Sequence, residues 1–520
     1  MISNNLINAV SAEIDENQLD SVVRGAHCLL LLLIALPLLM LYLDVYPPIW
    51  FDEGYKTNAV RTLVERGVYG TYTTQGYIPF DPGISSGPAD IVPLALSFQF
   101  FGKNVIHLRF VIVVYTLIAL LSFYLIAVYL YGSESGLFVT LIMLTAPAIQ
   151  GVSFLLIGRQ ILGEAPSLAL ILLGLWLWFQ SWDNERWLYV SLSGLFVGLG
   201  LLSKTQVAIA LIPTILLIII GRTIVKPSQV AKSLTYLAII LAVIGSWMLL
   251  GRLATTEEIR QENSLLLMDA VRSNLLTFLW GQTLTKSAFI IIGFLSLGVL
   301  VGGWRLKGRL KELSLGTSKY WAEATLTLFV LISTFWFAFL SVGWPRYAYA
   351  GLVVSLLLIG RLGWDIFEQM QHWFQRYRLF FSNWTYSIAL TCLTFIVIVV
   401  NIHPIIGFEQ KNIAQQMADY ISREIPRDAV IETWEWELDA LSQHWEYHHP
   451  NQRYLFLAIR QFSHEQKPFN LDYDLLQADP DYLVTGPFSD WTLIYNPEII
   501  ELNFEELIQV GAYRLYKRIR

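Results

Sequence analysis

Apolar runs alternate with short polar turns along the first four hundred residues, near 28–46, 105–130, 137–156, 166–181, 187–202, 206–221, 233–251, 285–303, 320–342, 347–362 and 385–402. Each approaches the roughly 20 residues that a helix needs to cross a bilayer. Beyond residue 402 the pattern changes. Charges become frequent, and short alternating segments appear at Ala429–Thr433, Tyr454–Leu457, Tyr482–Thr485 and Ala512–Tyr516, with helical periodicity over 411–424 and 435–445. The pattern predicts a polytopic α-helical membrane protein with about eleven transmembrane helices and a C-terminal soluble α/β domain. Three parts follow: an N-terminal segment 1–27, a transmembrane domain 28–402, and a tail domain 403–520.

Charge sets the expected orientation. Arg222, Lys226 and Lys232 fall in one turn; Arg305, Lys307, Arg309, Lys311 and Lys319 in another; Arg361, Arg376 and Arg378 in a third. The positive-inside rule places these turns and the N-terminus in the cytoplasm. The long segments 47–104 and 252–284 then lie outside, as does the tail. Composition agrees: 55% of residues are hydrophobic and 15% charged, against about 25% charged in soluble domains. The mean hydropathy is +0.51. The net charge of −6 mixes membrane and tail and says little about partners. The two cysteines, Cys28 and Cys392, lie inside apolar runs, which excludes a disulfide framework and a cysteine metal site. No cleavable signal is expected, because residues 1–26 are polar and acidic and Tyr46-Pro-Pro follows the first run.

The first outer segment, 47–104, is too long for a connector. Ala59, Val60, Leu63 and Val64 recur at helical spacing, predicting an amphipathic helix on the membrane surface. A second apolar helix is predicted from Ile91 to Phe101. At the start of the segment stand two adjacent carboxylates, Asp52 and Glu53. The ordinary reading is an N-cap followed by an acid in the first turn. Other ionisable residues fall at the outer ends of spans. Glu164 ordinarily complements a helix start and Arg159 pairs with it. Lys204, in Ser203-Lys-Thr205, ordinarily snorkels. Arg346, beside Trp344 and Tyr347, ordinarily anchors at the interface. Together they put two acidic sites and three cations on one side of the membrane, and such groups are functional candidates. Cations at headgroup depth suit a lipid phosphate. A carboxylate beside them suits a general base. Sugar transfer from a polyprenyl phosphate needs this set, and its weakly basic leaving group needs no general acid.

The first-loop Asp52-Glu53, the Arg159 to Glu164 turn, Ser203-Lys-Thr205 and the late Pro345-Arg-Tyr347 resemble the protein O-mannosyltransferase and lipid A aminoarabinose transferase group, GT-C glycosyltransferases that use polyprenyl-phosphate sugars. The resemblance spans about residues 28–402. It implies that Asp52 is the catalytic base, Glu53 its neighbour and Glu164 the second acidic residue. It also implies that Lys204 and Arg346, with Tyr347 and a supporting Arg159, hold the lipid phosphate. Ser86-Gly87-Pro88 stands where many relatives have His-Pro-Pro, and Glu164 where many have Asp, so sugar and acceptor stay open. Tyr55, His448 and His449 are candidate contacts to sugar or acceptor. His444 and His448 have a zinc-like i,i+4 spacing, but Pro450 follows and no fourth ligand is fixed by spacing. No metal ligand is assigned and no cofactor is expected to be required, although a divalent metal is compatible. The expected partners are a polyprenyl-phosphate-sugar donor, membrane lipid and an acceptor of unassigned class, with no nucleic acid. The expected enzyme is an inverting glycosyltransferase of a bacterial inner membrane, active at its outer face. A transporter or flippase is the competing class, but its site would lie near the midplane. A membrane anchor with a binding tail leaves the acidic first loop unexplained.

Overall fold

The computed structural model describes residues 16–84, 86–146, 151–184, 186–275, 286–341, 343–376, 385–407, 412–442, 447–463 and 471–519. Among the described residues, nine helices are long and apolar enough to cross a membrane, from Leu19–Met40 to Thr385–Ile406. Two shorter apolar helices, Ser133–Thr145 and Trp187–Ser203, occupy the remaining predicted runs. The first of these stops two residues before Pro147, where a following proline disfavours helical backbone. The protein is a multi-span membrane protein.

The chain passes back and forth, so polar turns gather at two ends. At one end Glu323, fully buried, accepts Arg305 Nε at 2.6 Å and Arg309 Nη1 at 2.6 Å. Asp365 accepts Arg305 Nη1 at 2.9 Å and pairs with Arg361 at 2.6 Å. Arg305, Arg309 and Arg361, from two of the basic turns singled out in the sequence, are thus paired with buried or half-buried acids. The opposite end carries Glu164, at the start of helix Glu164–Asp183, and Lys204, just past helix Trp187–Ser203. A 20-residue helix is about 30 Å long, which separates the two ends.

The first-loop helix, Phe51–Arg66, is not the surface helix expected. Besides Ala59 and Val60 it buries Glu53, Gly54, Lys56, Thr57 and Asn58. The tail covers its polar face. A Cβ on Gly54 would lie 2.2 Å from the Trp436 carbonyl carbon, so only glycine permits this approach. Asn58 Nδ2 and Arg61 Nη1 donate to Asp439 at 3.0 and 2.8 Å. A hairpin, β1 (Gly70–Thr73) and β2 (Gly76–Pro79), follows, and then helix Pro88–Phe101.

The tail forms a five-stranded sheet from β3 (Ile431–Thr433), β4 (Tyr447–His448), β5 (Tyr482–Thr485), β6 (Phe504–Val510) and β7 (Tyr513–Arg518), in the order β4-β3-β5-β7-β6. β3 pairs in parallel with β4 and β5; β7 pairs antiparallel with β5 and β6. Helix Ile413–Glu424 packs Met417 and Ile421 on Ile431, Val484 and Leu515. The predicted strand at Tyr454–Leu457 is instead part of helix Arg453–Ser463. Tyr-Leu-Phe-Leu-Ala-Ile is continuously apolar, and such a run fits either period.

Candidate active site

Asp52 sits in the first turn of the first-loop helix. The N-cap is Trp50, not Asp52 as the sequence suggested, and it makes no side-chain capping bond. Asp52 is 25% exposed and forms an ion pair with Arg346. Arg346 comes from the tight turn Pro345–Ala348. Its guanidinium lies 5.1 Å from the Trp50 ring, 5.1 Å from Trp344 and 5.7 Å from Tyr347. These aromatic faces favour the cation and fix its direction.

Two further ion pairs stand beside the first. Lys204 Nζ is 2.8 Å from Glu164 Oε1 and 5.6 Å from the Tyr347 ring. Lys56 pairs with Asp90 at the start of helix Pro88–Phe101. Burial pushes the Lys56 ammonium pKa down, and Asp90 and Glu164 pull it back up. A Cβ on Gly163 would lie 2.3 Å from Ser203 O and 3.1 Å from Lys56 Nζ, so this glycine lets the three segments close together. Asp52, Lys56, Glu164, Lys204, Arg346 and Tyr347 line one cavity of about 250 Å³. Leu267 and Val271, together with Leu455 and Ile459 of the tail, form its apolar side. A second cavity, of about 450 Å³, shares Asp52 and Arg346.

Several predicted site residues lie elsewhere. Glu53 faces away from both cavities. It is fully buried, accepts Arg109 Nε at 3.0 Å and Nη2 at 2.7 Å, and accepts the Ile161 amide at 2.8 Å. It ties the first loop to the span Val105–Tyr131 and to the turn that precedes helix Glu164–Asp183. Arg159 does not pair with Glu164 or reach the cavity. Its guanidinium donates to Leu38 O at 2.6 Å, to Tyr46 O at 3.1 Å and to Leu41 O, satisfying carbonyls where the first span ends. Tyr55 lines the cavity, with its hydroxyl donated to Asp81 at 2.6 Å.

His448 and His449 line neither cavity. His449 stacks on Trp436 at 3.8 Å, with Nδ1 2.8 Å from Thr433 O and Nε2 3.7 Å from Asp439. His448 Nε2 is 3.3 Å from the Tyr72 hydroxyl. Both belong to the joint between tail and first loop. His444 lies outside the described residues. Lys56, Asp90, Arg109 and Trp50 were not singled out in the sequence. Lys56 follows Asp52 by four residues, which puts both on one helix face. Arg109, a charge inside an apolar run, was also a readable signal.

Residues 91–248 match the family described as dolichyl-phosphate-mannose-protein mannosyltransferase. No curated protein sequence matches the chain. The fold is similar to that of ArnT from Cupriavidus metallidurans, solved bound to undecaprenyl phosphate, at 12% identity and a TM-score of 0.62, covering 94% of this chain and 98% of that one. It is also similar to archaeal oligosaccharyltransferase AglB from Archaeoglobus fulgidus, solved with an inhibitory peptide and a dolichol-phosphate, at 12% identity and a TM-score of 0.57, covering 96% and 74%. The first likeness runs through spans, first loop and tail alike.

Proposed function

We propose that this chain, a multi-span membrane protein with the GT-C glycosyltransferase fold, moves a sugar from a polyprenyl-phosphate donor to an acceptor hydroxyl or amine, inverting the anomeric centre. The reading places it in a bacterial inner membrane, with the site at the outer face. One observation carries it: Asp52 and the three cations Lys56, Lys204 and Arg346 line a single cavity at one end of the bundle. Each cation already has a carboxylate partner. An entering phosphate competes with Asp52 for Arg346, the most exposed of the three, and so frees the carboxylate beside the anomeric carbon. Charge-assisted contacts to phosphate are the strong kind. Ile209, Leu267 and Val271 line the cavity and are exposed, offering an apolar mouth for the prenyl chain.

Asp52 takes the acceptor proton as the acceptor oxygen or nitrogen forms its bond to the anomeric carbon. The bond from that carbon to the phosphate oxygen breaks, and the polyprenyl phosphate leaves with the electron pair, held by Lys204 and Arg346. The Asp52 proton then passes to solvent. Of the three predicted acids, Asp52 alone combines cavity lining with marked exposure; Glu164 is held by Lys204, and Glu53 by Arg109. The displacement is single, hence the inversion. Phosphate neutralisation rests on side-chain cations, so the scheme predicts activity in the presence of chelator.

Mass spectrometry of polyprenyl lipids with and without the gene tests the reading. One lipid-linked sugar is expected to accumulate in the deletion, and the purified protein is expected to bind undecaprenyl phosphate. An unchanged lipid pool together with no binding would overturn it.

A further inference from the structure

We propose that the second cavity, beside Asp52 and Arg346, is the acceptor site, and that its occupant is a saccharide whose ring lies on indole faces with one hydroxyl at Asp52. This rests on the glycosyltransferase reading. The cavity, about 450 Å³, falls within the range of about 300–1,000 Å³ typical of small-molecule sites. Its walls include Trp50, Trp344, Trp491 and Phe488. Apart from Asp52 and Arg346, Gln160 is the only polar side chain among its described lining residues. Gln160 faces inward to the protein: its Oε1 accepts Trp50 Nε1 at 3.0 Å and its Nε2 donates to Leu156 O at 3.1 Å. It holds the Trp50 ring in place.

The chemistry selects the occupant. A pyranose presents apolar C–H faces to aromatic rings, whose faces carry negative charge density. A phosphorylated or acidic group would find one cation among the described lining residues, Arg346, which the donor phosphate occupies, and beside it the Asp52 carboxylate, which repels a second anion. A hydrocarbon chain would fit apolar lining residues such as Leu156 and Ile157, but Trp50 and Trp491 are exposed and Trp491 comes from the tail, beyond the last span. An amphipathic ring suits such a half-wet aromatic wall.

The tail wall is fixed relative to Asp52. Glu435 accepts the backbone amides of Phe488 at 3.2 Å and Ser489 at 2.8 Å. The Phe488 ring stacks on Phe51, the residue before Asp52, at 3.7 Å. Trp491 in turn lies against Phe488 at 5.3 Å. The membrane bundle therefore selects the donor phosphate, while the tail helps select the acceptor.

Saturation-transfer NMR on the full-length protein in nanodiscs tests this. The probes are methyl mannopyranoside, methyl glucopyranoside and methyl N-acetylglucosaminide, compared with N-acetylserine amide and octanol. At least one pyranoside should show saturable transfer to its ring protons. Trp491→Ala should weaken that by about five- to tenfold, the worth of one aromatic contact, and Trp491→Phe should restore it. Undecaprenyl phosphate binding should be unchanged in both variants, which also shows that they are folded. Undecaprenyl phosphate binding without any saccharide transfer overturns the acceptor inference alone. So does saccharide transfer indifferent to Trp491→Ala, or Trp491-dependent transfer to the serine amide or octanol only. Absence of undecaprenyl phosphate binding in the native protein overturns the donor reading and this inference with it.

Discussion

Asp52 and Glu53 are chain neighbours with different tasks. Successive residues on a helix point about 100° apart. One carboxylate therefore faces the cavity, and the other is sealed against Arg109. The sequence marked the pair as unusual, because two acids follow an apolar run. The family resemblance gave Asp52 the role of base, but the pattern of residues held no signal for which one reaches the cavity, because that depends on where the second span lies. Glu53→Gln should leave Arg109 buried beside a neutral partner, at a cost on the order of 3–5 kcal/mol. The expected outcome is a lower thermal midpoint and yield, with turnover per folded molecule largely kept, measured by fluorescence-detected unfolding beside activity. Lys56→Ala and Lys204→Ala should act on donor use instead. Losing a charge-assisted phosphate contact costs about 1.5–3 kcal/mol, or one to two decades in donor saturation. Arg159→Ala is the contrast: it frees carbonyls at the end of the first span, so stability should fall while donor affinity stays level.

At the scale of elements, the first-loop helix shows where pattern reading stops. Its apolar stripe was legible, but its buried polar face was not. Lys56, Asn58 and Arg61 look like residues for water until Asp90 and Asp439, each distant in sequence, are brought against them. The tail sheet was legible at β3, β5 and β7, whereas Tyr454–Leu457 was misread as a strand because the run from Tyr454 to Ile459 is apolar throughout. Below the joint, β3 carries Glu432, whose Oε1 accepts the Tyr473 and Tyr495 hydroxyls at 2.6 and 3.2 Å. Burial pushes its pKa up to about 8, despite those two hydroxyls. Burial also raises the Glu435 carboxyl, with the Glu437 charge adding to the shift. A raised folded-state pKa means that the folded protein binds the proton more tightly. The resulting stability is full below the ordinary carboxylate range and is lost as pH rises through about 8. The thermal midpoint should therefore fall between pH 5 and pH 9, and Glu432→Gln should flatten part of that slope. A midpoint that rises over this range would contradict the assignment.

Across the whole molecule, three pieces close on one place. The bundle brings Lys204 and Arg346, the first loop brings Asp52 and Lys56, and the tail brings Leu455 and Ile459. The number of apolar runs and the clustering of basic turns at one end were legible because bilayer thickness and loop charge act on local sequence. The convergence of span ends was not, because it depends on helix packing. The central claim is that Asp52 is the base, and Asp52→Asn measures it most directly. Asn keeps the side-chain shape and removes the competitor for Arg346. Undecaprenyl phosphate binding should therefore hold or tighten, while single-turnover sugar transfer falls by about 10²–10⁴. The assay is run with and without chelator, and native enzyme should be active in both. An Asp52→Asn protein that transfers sugar at the native rate would contradict the account.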